Sequence, residues 1–132
     1  MARIYYLISI LVFILSSCAQ MGTLTGGDKD TFAPAPINDK ITPPNKSLNF
    51  TENSIIIPFD EFFKLKNPTE NIFIVPPHAT IDATVKGKDL ILSWSEQLKE
   101  NTTYSIYING AVQDISESND SIIQYVFSTG NY

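Results

Sequence analysis

Side chains able to do chemistry are few in this chain, and most stand alone. The single histidine, His78, sits in Pro76-Pro77-His78-Ala79, and the single cysteine, Cys18, follows Leu15-Ser16-Ser17. A general base or a nucleophile needs partners within hydrogen-bond reach. A histidine on a proline-flanked turn, with no serine or carboxylate in a suggestive order, reads as a solvated loop residue. Asp60 and Glu61 are neighbours at the end of an apparent strand, so their side chains point apart rather than at one substrate. Gly26-Gly27 lacks the following helix that would present N–H groups to a phosphate. The run Asp114, Glu117, Asn119 and Asp120 offers the oxygen ligands that calcium favours. An EF-hand loop counted from Asp114 would need glycine sixth and glutamate twelfth, where the chain has Asn119 and Tyr125. These four residues are therefore weak metal candidates and foremost a polar loop. Neither catalysis nor a cofactor or metal is expected.

Cys18 is different, because its context prescribes a reaction. Arg3 is followed by an apolar stretch from Ile4 to Leu15, then two small residues, the order of parts in a secretory signal peptide. The apolar core is about 12 residues, short of the roughly 20 that span a bilayer. Leu15-Ser16-Ser17-Cys18 resembles the lipobox of bacterial lipoproteins. That resemblance implies a diacylglyceryl thioether on Cys18, cleavage before it and acylation (typically by palmitate) of its new amino group. Two or more acyl chains make a stable anchor, at about 0.8 kcal/mol per buried methylene. The same reaction would consume the only thiol and leave no disulfide to support the fold.

Residues 1–17 then form a lipoprotein signal peptide and residues 18–36 the lipidated cysteine with a flexible tether. The stretch from Ala19 to Pro36 is rich in Gly, Thr, Asp, Ala and Pro, too polar to bury a core. As a coil it would hold the domain roughly 25 Å from the lipid, and fully stretched about 60 Å. Asp28-Lys29-Asp30 reads as solvated linker. The formal net charge is −5, and the only arginine leaves with the signal. Nucleic acid is thereby excluded as a partner, since it requires clustered Lys and Arg.

Residues 37–132 read as β throughout. Ile81, Ala83 and Val85 alternate with polar residues from Thr80 to Lys86. Beyond the Gly87-Lys88 turn, Leu90, Leu92 and Trp94 alternate with Ile91, Ser93 and Ser95, completing a hairpin with one buried face. Tyr104, Ile106 and Ile108 repeat the pattern, and Ser54 to Phe59 and Ile122 to Ser128 add further runs. Asn71 to Val75 is apolar on both faces, so its register is open. Pro58 places its strand at an edge or a bulge. Glu96 to Glu100 has room for one helical turn. About seven short strands between Pro, Gly and Asn turns predict an all-β fold, a single antiparallel β-sandwich of the immunoglobulin type. Trp94, Phe59, Tyr104 and Phe127 are assigned to its core.

Three stretches carry a family resemblance. Phe59-Asp60-Glu61, Leu98-Lys99-Glu100-Asn101-Thr102-Thr103-Tyr104 and Val126-Phe127-Ser128-Thr129-Gly130 resemble, in that order, the bacterial Ig-like domain of the SbsA type. The turn into Tyr104 is similar to a tyrosine corner, whose phenol bonds to upstream backbone. The sequence departs from the family at Pro43-Pro44-Asn45-Lys46, where Pro-x-Asn-Gly is common, and at Asp114 to Asn119, where the usual glycine is missing. Cys18-Ala19-Gln20 with Thr25-Gly26-Gly27-Asp28-Lys29-Asp30-Thr31 is similar to the start of Ig-like lipoproteins from Bacteroidota. Those chains usually continue for several hundred residues beyond this domain. Asp120-Ser121-Ile122 is similar to the tripeptide that Bacteroidota O-glycosylate, which would place a glycan on Ser121.

The expectation is a lipid-anchored, non-catalytic Ig-like module of the cell envelope, acting as spacer or protein-interaction domain. Its lipid would sit in the inner or outer membrane. No acidic run follows Cys18, so a periplasm-facing placement is favoured over the cell surface. The runner-up is an envelope glycan- or polysaccharide-binding module using Phe62, Phe63 and Tyr107. A third reading is the N-terminal fragment of a longer multi-domain lipoprotein.

Overall fold

The computed structural model describes residues 26–132, together with the isolated positions Arg3 and Tyr5. The lipobox residues Leu15, Ser16, Ser17 and Cys18 lie outside the described residues. Seven strands form two antiparallel sheets, as the alternation predicts. The first sheet holds β1 (Ser54–Pro58), β5 (Asp89–Ser93) and β4 (Asp82–Lys86), with β5 central. The second is built on the long β6 (Thr103–Asp114). β7 (Asp120–Ser128) pairs with β6, which also pairs with β3 (Ile72–Val75) and β2 (Phe63–Leu65) at successive stretches.

The core lies where the inward residues of both sheets meet. Ile55 and Ile57 of β1, Leu90 and Leu92 of β5, and Tyr104, Ile106 and Ile108 of β6 are fully buried. Each such side chain contributes about 1.5–3 kcal/mol by leaving water. Phe127 packs its ring on Phe50, Trp94, Tyr104 and Tyr125, with centroids 4.2–5.9 Å away. Phe59, Trp94, Tyr104 and Phe127 are therefore core residues, as assigned from the sequence.

Pro58 does lie on an edge strand, where no ladder bond from its nitrogen is missed. Thr42 and Ile56 exchange backbone hydrogen bonds of 3.0 and 2.8 Å, and Ile37 donates to Pro58, so that edge is partly covered. The Gly87-Lys88 turn joins β4 to β5 with Lys86 opposite Asp89. Gly87 has φ +64° in the position that a type II′ turn reserves for glycine.

Three expectations need correction, and one register left open is now defined. In β4 only Ile81, just ahead of the strand, is truly buried. Ala83 is half-buried and Val85 is 40 % exposed, because β4 is the outermost strand of its sheet, whereas their β5 partners Leu92 and Leu90 are fully buried. Among the described residues, helical turns form at Asn38–Lys40, as a 3-10 turn, and at α1 (Pro68–Asn71), with proline in the first turn, and not at Glu96 to Glu100, which forms an open loop. β3 resolves with Ile72 and Ile74 inward and Phe73 and Val75 outward. Finally, the folded body begins before residue 37. Pro34 is buried, Pro36 bridges to Phe59, and Asn119 donates to the carbonyls of Asp30 and Phe32 at 2.9 and 3.1 Å. The stretch docks by backbone hydrogen bonds and the buried Pro34 ring, which composition does not reveal.

β6 continues through Asn109-Gly110, a pair that looks like a turn. The register moves from Asn109 opposite Ile122 to Gln113 opposite Asp120, so β6 bulges. Gly110 makes this bulge with φ +70°, and a Cβ there would lie 2.7 Å from an Asp120 carboxylate oxygen.

The two departures from the family pattern fall on residues in the left-handed region. Lys46 has φ 67° where the resembled pattern commonly has glycine, and Ser118, just before Asn119, has φ 62°. A side chain there costs about 1–2 kcal/mol, against about 0.5–1 kcal/mol of extra entropy lost by glycine. Lys46→Gly and Ser118→Gly are each expected to stabilise the domain by about 0.5–1 kcal/mol. Thermal melting would show this as a rise of a few degrees, about 4–8 °C per kcal/mol for a domain of this size.

Candidate functional site

The residues that could carry function gather at the two ends of the sandwich. At the first end the chain enters. Asp60 clamps the incoming segment: its N–H donates to the Ala35 carbonyl at 3.1 Å, and its carboxylate accepts the Ala35 N–H at 2.9 Å. Lys88 Nζ donates to the Asp60 carbonyl at 2.7 Å. Docking brings Asp30 beside Glu61 and Asp114, with carboxylate oxygens within 4.8 Å of one another. Mutual repulsion follows. The Glu61 carboxyl is raised above its ordinary pKa, first by desolvation, then by Asp114, Asp60 and Asp30, with Lys88 opposing. Asp114 is lowered, chiefly because it accepts hydrogen bonds from the Ser116 and Glu117 N–H groups at 2.9 and 3.2 Å.

Of the four residues proposed for a metal, only Asp114 joins this trio, and its oxygens are occupied by capping the β6–β7 turn. Glu117 pairs with Lys29 at 3.9 Å, and the Asn119 amide nitrogen is spent on the entering backbone. Asp120 lies against Gly110 on the other side of the bulge. The four do not converge. Ser121 is buried and its hydroxyl donates to the Pro34 carbonyl, so a glycan on that oxygen has no room in the folded domain.

At the opposite end lies a cleft of about 560 Å³, walled by residues 50–53 and 94–98 and by Glu100, Asn101 and Thr129. Its wall is rigid for a reason the sequence motifs encode. Lys99 N–H donates to the Tyr104 hydroxyl at 3.0 Å, the expected tyrosine corner. Asn101 takes φ 49°, and Thr102 N–H donates to the Thr129 hydroxyl at 2.9 Å. That hydroxyl in turn donates to the Lys99 carbonyl at 2.6 Å. A Cβ on Gly130 would meet Asn101 Cα at 3.0 Å, so glycine permits the close approach. The Asn-Thr-x-Tyr turn and the Phe-Ser-Thr-Gly strand are thus two halves of one lock.

Residues 33–129 match the family model of the bacterial Ig-like domain. The chain belongs to that family. No curated protein matches it. Bacterial Ig-like domains are a non-enzymatic fold family. The His78 Nε2–H donates to the Gln97 carbonyl at 2.7 Å.

The aromatics considered for glycan binding do not share a face of the Ig-like domain. Phe63 is buried against Phe59 at 4.7 Å, while Phe62 is 57 % exposed beneath Lys88 Nζ. Tyr107 is half-buried on the outer face of the second sheet, stacked on Phe73 at 5.4 Å. β2 pairs with residues 112–114 of β6, so Phe62 lies several residues along the strand from Tyr107. The cleft residues Glu52, Glu96 and Glu100 were not singled out by sequence reasoning. They come from two separate loops, and only the closing of both sheets makes them neighbours.

Proposed function

We propose that this Ig-like domain is the body of a lipid-anchored, non-catalytic envelope protein, serving as a spacer and a protein-interaction module. The observation that carries this reading is the opposition of its two ends. The chain enters at Pro34, beside Ser121 at the start of β7, and leaves at Gly130 beyond its end. β7 is nine residues long, so entry and exit are separated by roughly 25–30 Å of rigid sheet. A body clamped at entry by Asp60 and locked at exit by Thr129 acts as a strut. Cys18 would supply the anchor at the entry side, and the cleft would then face away from the membrane. The domain would sit in the periplasm.

Fractionation combined with protease treatment tests this. In a bacterium that processes lipoproteins, the native protein is expected in the membrane pellet and Cys18→Ala in the soluble fraction. Protease should leave the native protein intact in whole cells and degrade it after permeabilisation. Membrane association unchanged by Cys18→Ala would remove the anchor, and cleavage in whole cells would move the domain to the outside.

A further inference from the structure

The cleft at the exit end has both shape and charge, and neither the anchor nor the strut uses it. Its lining includes three carboxylates, Glu52, Glu96 and Glu100, and no lysine, arginine or histidine. Glu96 is held in place, with one oxygen accepting the Thr80 N–H at 3.2 Å and the other facing the Ser95 hydroxyl at 3.5 Å. The Thr80 bond, the largest cause, lowers its pKa, so the group stays ionised. Glu52 and Glu100 are exposed at the rim.

The floor decides between ligand classes. Phe50, Trp94 and Leu98 supply apolar surface, but Trp94 is only 4 % and Phe50 only 6 % exposed. Phe127 stacks on Trp94 at 5.9 Å with ring planes 11° apart, so one face of the indole is covered. A sugar ring would need such a face open for stacking, and none is presented. A long cationic side chain needs less. Its methylene stem can lie along Leu98 and the ring margins while its head reaches the carboxylates. Charge-assisted hydrogen bonds of this kind are roughly twice as strong as neutral ones.

We propose that the cleft binds a basic segment of a protein partner, seating a lysine or arginine side chain among Glu52, Glu96 and Glu100. The chain's net charge of −5 draws such a segment from a distance. The inference rests on the reading of the domain as an interaction module and names the partner's chemistry.

Trp94 is the only tryptophan and lies in the cleft floor, so its fluorescence reports occupancy. The experiment titrates the full chain, in neutral detergent, with an acetylated and amidated Gly-Arg-Gly-Arg-Gly peptide. A matched peptide with glutamine for arginine and a neutral chitooligosaccharide run beside it. A saturable change with the arginine peptide alone is expected, weakened by added salt. Combined Glu52→Gln, Glu96→Gln and Glu100→Gln should reduce affinity at least tenfold, whereas Asp39→Asn, outside the cleft, should leave it unchanged. Glutamine keeps the shape and the Thr80 contact, and near-UV circular dichroism verifies the fold of each variant. Equal responses to both peptides, no saturable response, or binding indifferent to the triple substitution would overturn the proposal. A saturable response to the oligosaccharide alone would overturn it in favour of a glycan. None of these outcomes alters the fractionation result, so the anchor and the partner chemistry fail separately.

Discussion

Phe127→Ala is expected to destabilise the domain by about 3–5 kcal/mol, the range for removing a fully buried aromatic ring. Phe127 is the hub of the aromatic cluster: its ring packs on those of Tyr104 and Tyr125 from the second sheet, Trp94 just past the end of β5, and Phe50 from the segment before β1. Truncation leaves a hole that none of these can fill alone, since each is held by its own strand or hydrogen bond. Domains of this size are stable by about 5–15 kcal/mol, so the variant should sit close to its unfolding threshold. Urea unfolding followed by Trp94 fluorescence reads the loss directly, because Trp94 stacks on the deleted ring. A loss below about 1 kcal/mol would mean that the cluster is not packed as described.

The second large effect is expected at alkaline pH. Tyr125 is buried at the join of β7 and the residue 43–47 segment, where its hydroxyl donates to the Pro43 carbonyl at 2.8 Å. Desolvation is the main cause that pushes its pKa from 10.0 up to about 12. Ionisation would also turn a donor into an anion facing carbonyl oxygens. Unfolded tyrosine ionises near pH 10. The raised pKa therefore contributes stability that is complete below pH 10 and is lost as pH climbs to about 12. Two pH units correspond to at most about 2.7 kcal/mol, and the nearby solvent reduces the expected loss to about 1–2 kcal/mol. Tyr125→Phe should lack this component. The difference between the two stability profiles isolates it from the lysines that titrate in the same range.

How far the sequence could be read depended on whether a feature is local. Alternation in β5 and the first half of β6 placed Leu90, Leu92, Tyr104, Ile106 and Ile108 correctly, because strand periodicity lives within a few residues. β2 is only three residues long and carries no alternation to detect. The second half of β6 hid behind Asn109-Gly110, where a bulge and a turn use the same residues. The docked segment at residues 30–36 is held by Asn119, Ser121 and Asp60, partners far away in sequence. Long-range closure also explains the site. Asp114 was legible as a carboxylate in a polar loop, yet its work is to cap Ser116 and Glu117. Of the cleft glutamates, Glu52 and Glu96 lay in no motif, and Glu100 lay in one read only as a turn.

The missing glycines teach a related lesson. At Lys46 and Ser118, where the sequence departs from the resembled pattern, the backbone adopts the left-handed conformation. The surrounding bonds enforce it: Lys46 N–H donates to the Val126 carbonyl at 2.7 Å, and Asp114 N–H to the Asn119 carbonyl at 2.9 Å. Local preference is overruled where the sheet over-determines the turn.

The measurement that bears most directly on the account is the mass of the mature N-terminal peptide, taken from protein made in a lipoprotein-processing bacterium. A peptide beginning at Cys18, with a diacylglyceryl thioether and an acylated amino group, is predicted. A mature chain that retains residues 1–17, or one cut elsewhere with a free Cys18 thiol, would contradict it.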